Sequence, residues 1–170
     1  MRVRLQLAMV AVLTLLSTAF LPVGGPVVVQ AADSGASSGV SSGRWIEVDT
    51  STGTAYAIQN GVVVYTALVT VGVPEYPTPH GTFSIYRRVY DETMDSSTIG
   101  IPNDAPGGYY LTGVLYTQYF YGGAALHYNY WSPPEAFGSA AGSHGCVGMT
   151  LDDAAFFWDF ATIGTPVIVY

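Results

Sequence analysis

RWIEVDTSTGTAYAIQNGVVVYTALVTV, residues 44–71, decides the fold class. From Arg44 to Asp49 apolar and polar residues alternate one by one, the period of a strand with one buried face. Thr50-Ser51-Thr52-Gly53 supplies a turn, and Thr54 to Gln59 reads as a second strand. Asn60-Gly61 is a two-residue hairpin turn of the kind that needs positive φ, and Val62 to Val71 is a third, more buried strand. Further along, Pro77-Thr78-Pro79-His80-Gly81 interrupts before Thr82 to Tyr86 alternates again. Asp91 to Gly108 is polar and rich in Pro and Gly, a loop of the length that functional loops have. Tyr109 to Tyr121 and Ala124 to Tyr128 read as strands, and Ser132 to Gly145 as a second long loop of small residues. One helix is expected, with Thr150 as N-cap, Asp152 and Asp153 in its first turn, and Ala154 to Ala161 stopped near Gly164. Pro166 to Tyr170 closes the chain as a strand. The expected architecture over residues 44–170 is mainly β, an antiparallel sandwich or barrel-like arrangement with one helix near the C-terminus.

Composition narrows the class of function. The chain has 170 residues, 49% hydrophobic, 14% aromatic and 10% charged, enough apolar material for one real core and too much for disorder over most of the length. Its formal charge is −7, and every positive side chain is Arg. Absence of Lys excludes Schiff-base chemistry and a Ser-x-x-Lys nucleophile. With so few cations to neutralise a row of phosphates, nucleic acid is excluded as a partner.

Residues 1–31 have the form of an export signal: Arg2 and Arg4 ahead of the apolar run Leu5 to Leu21, then Val29-Gln30-Ala31 with small residues where a signal peptidase reads. Cleavage is expected after Ala31, favoured over an uncleaved anchor by Pro22 and Gly24-Gly25-Pro26, so the membrane is met only transiently. Residues 32–43 form a Ser/Gly-rich linker. The expected location is extracytoplasmic, in the cell wall or periplasm.

Cys146 is the only cysteine, so the exported chain has no internal disulfide. It ends Ser143-His144-Gly145-Cys146, a segment too polar and glycine-rich to bury the thiol as an inert core residue. His127 lies upstream, at the end of the apolar Ala124-Ala125-Leu126, which would hold an imidazole firmly. A thiol nucleophile needs a base to take its proton and N–H groups facing the developing oxyanion, and both parts of a thiol–imidazole pair are present. His127, His144 and Cys146 also have the right ligand types for zinc, but structural zinc sites pair their ligands at short spacing on both sides, and only His144-x-Cys146 is close. No metal or cofactor is expected.

The pattern resembles the L,D-transpeptidases with a YkuD-type catalytic domain. His127 and Ser143-His144-Gly145-Cys146 fit the family's His and Ser/Thr-His-Gly-Cys motif; Thr78-Pro79-His80-Gly81-Thr82-Phe83 is similar to its Thr-Pro-x-Gly-x-Phe segment. Met94-Asp95-Ser96-Ser97-Thr98, running on to Gly108-Tyr109, resembles the lid of actinobacterial members, and Ile46-x-Val48-Asp49 with Asn60-Gly61 the first hairpin. The resemblance implies transfer of a peptidoglycan stem peptide. The bond between its third residue, usually meso-diaminopimelate, and D-Ala would be cut through a thioester on Cys146 and passed to an acceptor amine. It implies His127 as base, Tyr128 as the carbonyl that orients it, and His144, Gly145, Ser143 and the Cys146 N–H shaping the oxyanion site. His144 stands between assisting catalysis and bracing the loop. Tyr109 and Met94 would line the donor pocket, and carbapenem β-lactams are the implied inhibitors. The alternatives are an L,D-carboxypeptidase, in which water resolves the thioester, and a catalytically impaired wall-binding domain.

Two departures stand out. Members commonly carry Arg or Asn two residues after the cysteine, where this chain has Gly148, and Ile99 sits where related lids often carry an aromatic residue. Arg87-Arg88, the densest positive charge of the exported chain, is placed either to meet a stem carboxylate or to stand solvated. The aromatic residues from Tyr109 to Trp131 read as sheet core in preference to a carbohydrate-binding surface.

Overall fold

A computed structural model describes residues 43–138 and 142–170. The leader and all but the last residue of the linker lie outside the described residues. The strands are β1 (Arg44–Asp49), β2 (Thr54–Gln59), β3 (Val62–Leu68), β4 (Gly81–Ser84), β5 (Arg87–Asp95), β6 (Tyr110–Tyr121), β7 (Ala124–Tyr128), β8 (Val147–Met149) and β9 (Pro166–Val169); the helix α1 spans Leu151–Phe160. They form a five-stranded sheet in the order β3-β2-β1-β9-β4 and a four-stranded sheet in the order β5-β6-β7-β8. Most neighbours are antiparallel, but β1 runs parallel to β9 and β7 parallel to β8, so both sheets are mixed.

The β1–β2–β3 meander follows from the opening alternation. Ile46 and Val48 are fully buried on one face of β1, and Asn60 (φ 52°) and Gly61 (φ 80°) make the positive-φ turn between β2 and β3. β3 itself departs from expectation. It is an edge strand whose Val62, Val63, Val64 and Leu68 face solvent, so its run of β-branched residues marks strand propensity and not burial. It also ends at Leu68; residues 69–73 leave this sheet to run beside β8 and the segment that leads into it, with Thr70 N–H donating to Gly148 O at 2.8 Å and Gly148 N–H to Thr70 O at 3.0 Å.

The polar stretch after Tyr90 is not all loop. β5 continues to Asp95 as half of a long hairpin with β6, since its polar side chains face water on one side of an antiparallel pair. The loop proper covers residues 96–109. It opens with a 3₁₀ turn, Ser96–Ile99, capped by Asp95 accepting from Ser97 N–H at 2.8 Å.

Helix α1 begins where its N-cap predicts: the Thr150 hydroxyl accepts from Asp153 N–H. Ala154, Phe157 and Phe160 face the core, with Tyr65 stacked on Phe156 at 3.8 Å between ring centroids. Truncating the fully buried Phe157 to Ala should lower unfolding stability by about 3–5 kcal/mol. Urea titration checks this, and a loss under about 1 kcal/mol would show that α1 is not a core element.

Candidate active site

β8 assembles the site. Its three residues pair in parallel with β7, placing Leu126 opposite Val147, His127 opposite Gly148 and Tyr128 opposite Met149. Leu126 and Val147 point into the main core. Successive side chains alternate faces, so His127 projects from the other face, where Ala125 and Cys146 already pack together with Met94 and Val114. His127 in β7 and Cys146, the residue just before β8, therefore face the same side of the sheet.

His127 is held in one tautomer. Its Nδ1 lies 2.9 Å from Tyr128 O, and because a carbonyl only accepts, Nδ1 carries the hydrogen and Nε2 keeps its lone pair. Trp131 stacks on the ring at 5.4 Å between centroids, 21° from parallel. Burial pushes the imidazole down to about 4, against a raising contribution from the Tyr128 carbonyl, so the ring is neutral at physiological pH.

Cys146 is more enclosed than the polarity of its loop predicts, only 9% exposed. The loop turns the thiol inward against β6 and β7, where the thiol donates to Gly123 O at 3.6 Å. Burial pushes it up to about 11, with a backbone hydrogen bond from Ala125 working the other way. The resting pair is thus a neutral thiol beside a neutral imidazole.

The turn before the thiol is tied by Ser143, whose hydroxyl donates to Cys146 O and accepts from Gly145 N–H at 3.2 Å. Gly145 sits at φ 102°, a conformation that side chains rarely adopt. Its N–H is spent on Ser143 in this state, so it is not a free oxyanion donor. The His144 ring lies 4.8 Å from the Tyr76 ring and 5.5 Å from that of Tyr109, beneath Gly107 of the loop. That is the surrounding of a brace. His80 stands elsewhere, bonded to the Thr50 hydroxyl. Among the described residues no group of three or more His, Cys, Asp or Glu is placed to hold a metal ion.

Gly148 has a structural cause that the sequence did not show. A Cβ there would lie 2.4 Å from Thr70 Oγ1 and 2.6 Å from Asn129 Nδ2. Asn129, 2% exposed, donates its amide to Thr70 Oγ1 at 3.1 Å and accepts from Ser132 N–H at 3.1 Å, while its own N–H bonds to Met149 O. The Asn129 amide, just past the end of β7, therefore occupies part of the volume that a side chain at 148 would take.

A cavity of about 360 Å³ opens beside the thiol, lined by Met94, Tyr109, Tyr119 and Gly123 on the inner side and by Arg87 and Glu92 farther out. Met94 and Tyr109 pack on the cluster that contains Cys146. Burial pushes the Tyr109 phenol up to about 12, so it stays protonated. Over the cavity, Ser96 pins the loop by donating to Asn103 Oδ1 (2.8 Å) and accepting from Tyr109 N–H (2.9 Å). Ile99 closes on Gly123, its Cγ2 2.8 Å from where a Cβ on that glycine would stand. Trp131, Asn129 and Thr70 were not among the residues that sequence reasoning singled out for the site. Of these only Trp131 carried a signal, its place in the aromatic run after His127.

This is a mixed-sheet sandwich with a cysteine and a histidine on the same sheet face, near a long loop. The family model for the L,D-transpeptidase catalytic domain (YkuD) matches residues 43–169, and the chain belongs to that family. It is 37% identical over 111 residues to L,D-transpeptidase 1 of Mycobacterium tuberculosis, covering 65% of this chain and 44% of that one. It is also 38% identical over 99 residues to that organism's probable L,D-transpeptidase 3, covering 58% and 36%. The chain thus spans less than half the length of these relatives. Among solved structures it matches LdtMt1 in complex with imipenem (TM-score 0.71, 34% identity, 75% of this chain and 58% of that one). It matches a Mycobacterium smegmatis L,D-transpeptidase similarly (TM-score 0.70, 34% identity, 75% and 58%).

Two outcomes follow from this geometry. Gly148→Asn should destabilise the fold by about 1–3 kcal/mol through overpacking, and in a urea double-mutant cycle with Asn129→Ala the double mutant should lose less than the sum of the two single losses, the clash with Thr70 Oγ1 remaining. Additive losses would show that the two positions do not share one volume. The second concerns pH. The folded imidazole titrates near 4 and the unfolded one near 6.5, so the unfolded state binds the extra proton and stability falls as pH drops from 6.5 towards 4. The thiol, raised from 9 to about 11, makes stability fall as pH climbs through that window. Thermal midpoints should be flat between the two windows, and His127→Gln should flatten the acid limb between pH 6.5 and 4; an unchanged limb would place the ring in water.

Proposed function

We propose that the protein is an exported L,D-transpeptidase of peptidoglycan, with Cys146 as nucleophile and His127 as base. The observation that carries this reading is the β7–β8 register, which sets the thiol and an imidazole with a free Nε2 lone pair on one sheet face beside an open cavity. The leader at residues 1–31 supports export.

In the proposed reaction a donor stem fills the cavity beneath Ile99 and displaces the thiol from Gly123 O. The Sγ proton passes to His127 Nε2 as sulfur attacks the carbonyl carbon of the third stem residue. The Tyr128 carbonyl supports the imidazolium through Nδ1–H. The oxyanion then collapses, the C–N bond to D-Ala breaks, and the amine leaves with the proton from His127. An acceptor amine attacks the thioester, gives its proton to His127, and the thiol is released with its hydrogen restored. Ser143, Gly145 and the Cys146 N–H shape the oxyanion turn, and His144 holds the loop through Tyr76 and Tyr109. A neutral resting pair suits this sequence, because charge separates only once the stem has excluded water.

Intact-mass measurement after incubation with a carbapenem tests the proposal. One added carbapenem is expected on the wild type and none on Cys146→Ala; His127→Ala should slow acylation by about two to four orders of magnitude. A folded wild type that gains no mass would favour a wall-binding domain without activity. With tetrapeptide stems, a cross-linked dimer marks transfer, and tripeptide alone marks the carboxypeptidase.

A further inference from the structure

The Arg87-Arg88 pair divides its work. Arg88 is committed to α1: its guanidinium donates to Trp158 O and lies 3.8 Å over the Trp158 ring. Arg44 reaches Phe160 O and lies over the Phe160 ring. Arg87 alone among the described cations lines the cavity beside Cys146. One nitrogen, Nη2, pairs with Glu92 at 2.9 Å, and the guanidinium carbon lies 4.9 Å from the centre of the Tyr119 ring. Glu92 is fixed in turn, accepting from Tyr119 Oη at 3.2 Å and from Thr93 N–H at 3.1 Å. Its carboxylate is therefore occupied as a support and is a poor receiver for a ligand's ammonium.

The guanidinium is differently placed. It has five N–H donors in a rigid fork, its side chain is 53% exposed, and one edge is engaged. A planar cation aimed by an ion pair and an aromatic face, with donors left over, matches a carboxylate in bidentate geometry. The net charge sharpens the assignment: the chain carries formal charge −7, so bulk charge does not draw an anionic ligand in and a local cation has to hold it.

We propose that Arg87, oriented by Glu92 and Tyr119, anchors a carboxylate of the donor stem in the cavity beside Cys146, so that the enzyme selects stems in which that carboxylate is free. This rests on the reading of the cavity as the donor pocket. A tetrapeptide stem offers two carboxylates at the reacting end, one at the far end of the third residue's side chain and one on the terminal D-Ala.

The test is binding, so that it does not depend on turnover. Cys146→Ala protein is titrated calorimetrically with three tetrapeptides: one with both carboxylates free, one amidated at the third-residue side chain, and one amidated at D-Ala. One amidation should weaken binding about tenfold, the value of a partly exposed charge-assisted contact, and the peptide that suffers identifies the carboxylate. Arg87→Ala should weaken the free peptide to the same extent and make that amidation silent, while Arg87→Lys should recover part of the loss. Glu92→Gln should weaken binding without abolishing the preference, since it frees the fork but leaves its charge. Equal affinities for all three peptides, no binding of any, or a preference that survives Arg87→Ala, overturns the anchor. Wild-type turnover of the free stem is measured in parallel: its absence beside intact Arg87-dependent binding would sink the transpeptidase reading and leave the anchor standing.

Discussion

Three residues of parallel pairing, Leu126–Tyr128 against Val147–Met149, carry the arrangement of the site. In a parallel ladder the side chains of paired residues share a face, so this register alone decides that thiol and imidazole face the same side while Leu126 and Val147 turn to the core. A slip of one residue would send Cys146 into the core face. A strand this short has little cohesion of its own. It is held from the far side by residues 69–73, which leave the first sheet after β3 and exchange hydrogen bonds with Gly148 through Thr70. Thr78 adds to the brace by accepting from Gly72 N–H at 2.9 Å. The Thr-Pro-x-Gly segment and the Ser-His-Gly-Cys segment are thus two sides of one structure.

Enclosure then sets the chemistry. The same burial lowers the imidazole and raises the thiol, because each is penalised for holding charge. The exposed, ionised thiolate of many reactive cysteines is absent from this resting state. In the proposed mechanism reactivity is generated when a ligand arrives, and the groups around the two residues are already aimed: the Tyr128 carbonyl on Nδ1, Trp131 over the ring, and the Gly123 carbonyl on the thiol. Ile99 sets the 96–109 loop against the same glycine whose carbonyl takes the thiol hydrogen.

What the sequence made legible was whatever has a period or a cap. β1, β2, β7 and α1 stand close to where alternation, Asn60-Gly61 and the Thr150 N-cap place them. β8 was invisible because three residues, one of them glycine, show no period. The length of β5 was hidden because a hairpin arm with one face in water is as polar as a loop. β3 misled in the opposite sense, its valines lying along an exposed edge. For the site, His127 and Cys146 were legible from their types and neighbours. Asn129 and Thr70 were not, since their role exists only where β7, residue 70 and Gly148 meet, 59 positions apart in the case of their hydrogen bond.

Gly148 shows how a local departure is absorbed. Read alone, a glycine two residues after Cys146 is a lost side chain. In the fold it is the condition for Asn129 to reach Thr70, and that amide ties together the end of β7, the residue that bonds Gly148, and through Ser132 the turn carrying Trp131. A buried amide of this kind specifies geometry more than it adds stability, because the bond's net return is about 0.5–1.5 kcal/mol while leaving a partner unpaired costs about 1–3 kcal/mol. The side chain that holds this part of the site comes from Asn129, just past the end of β7, and the glycine is the space it requires.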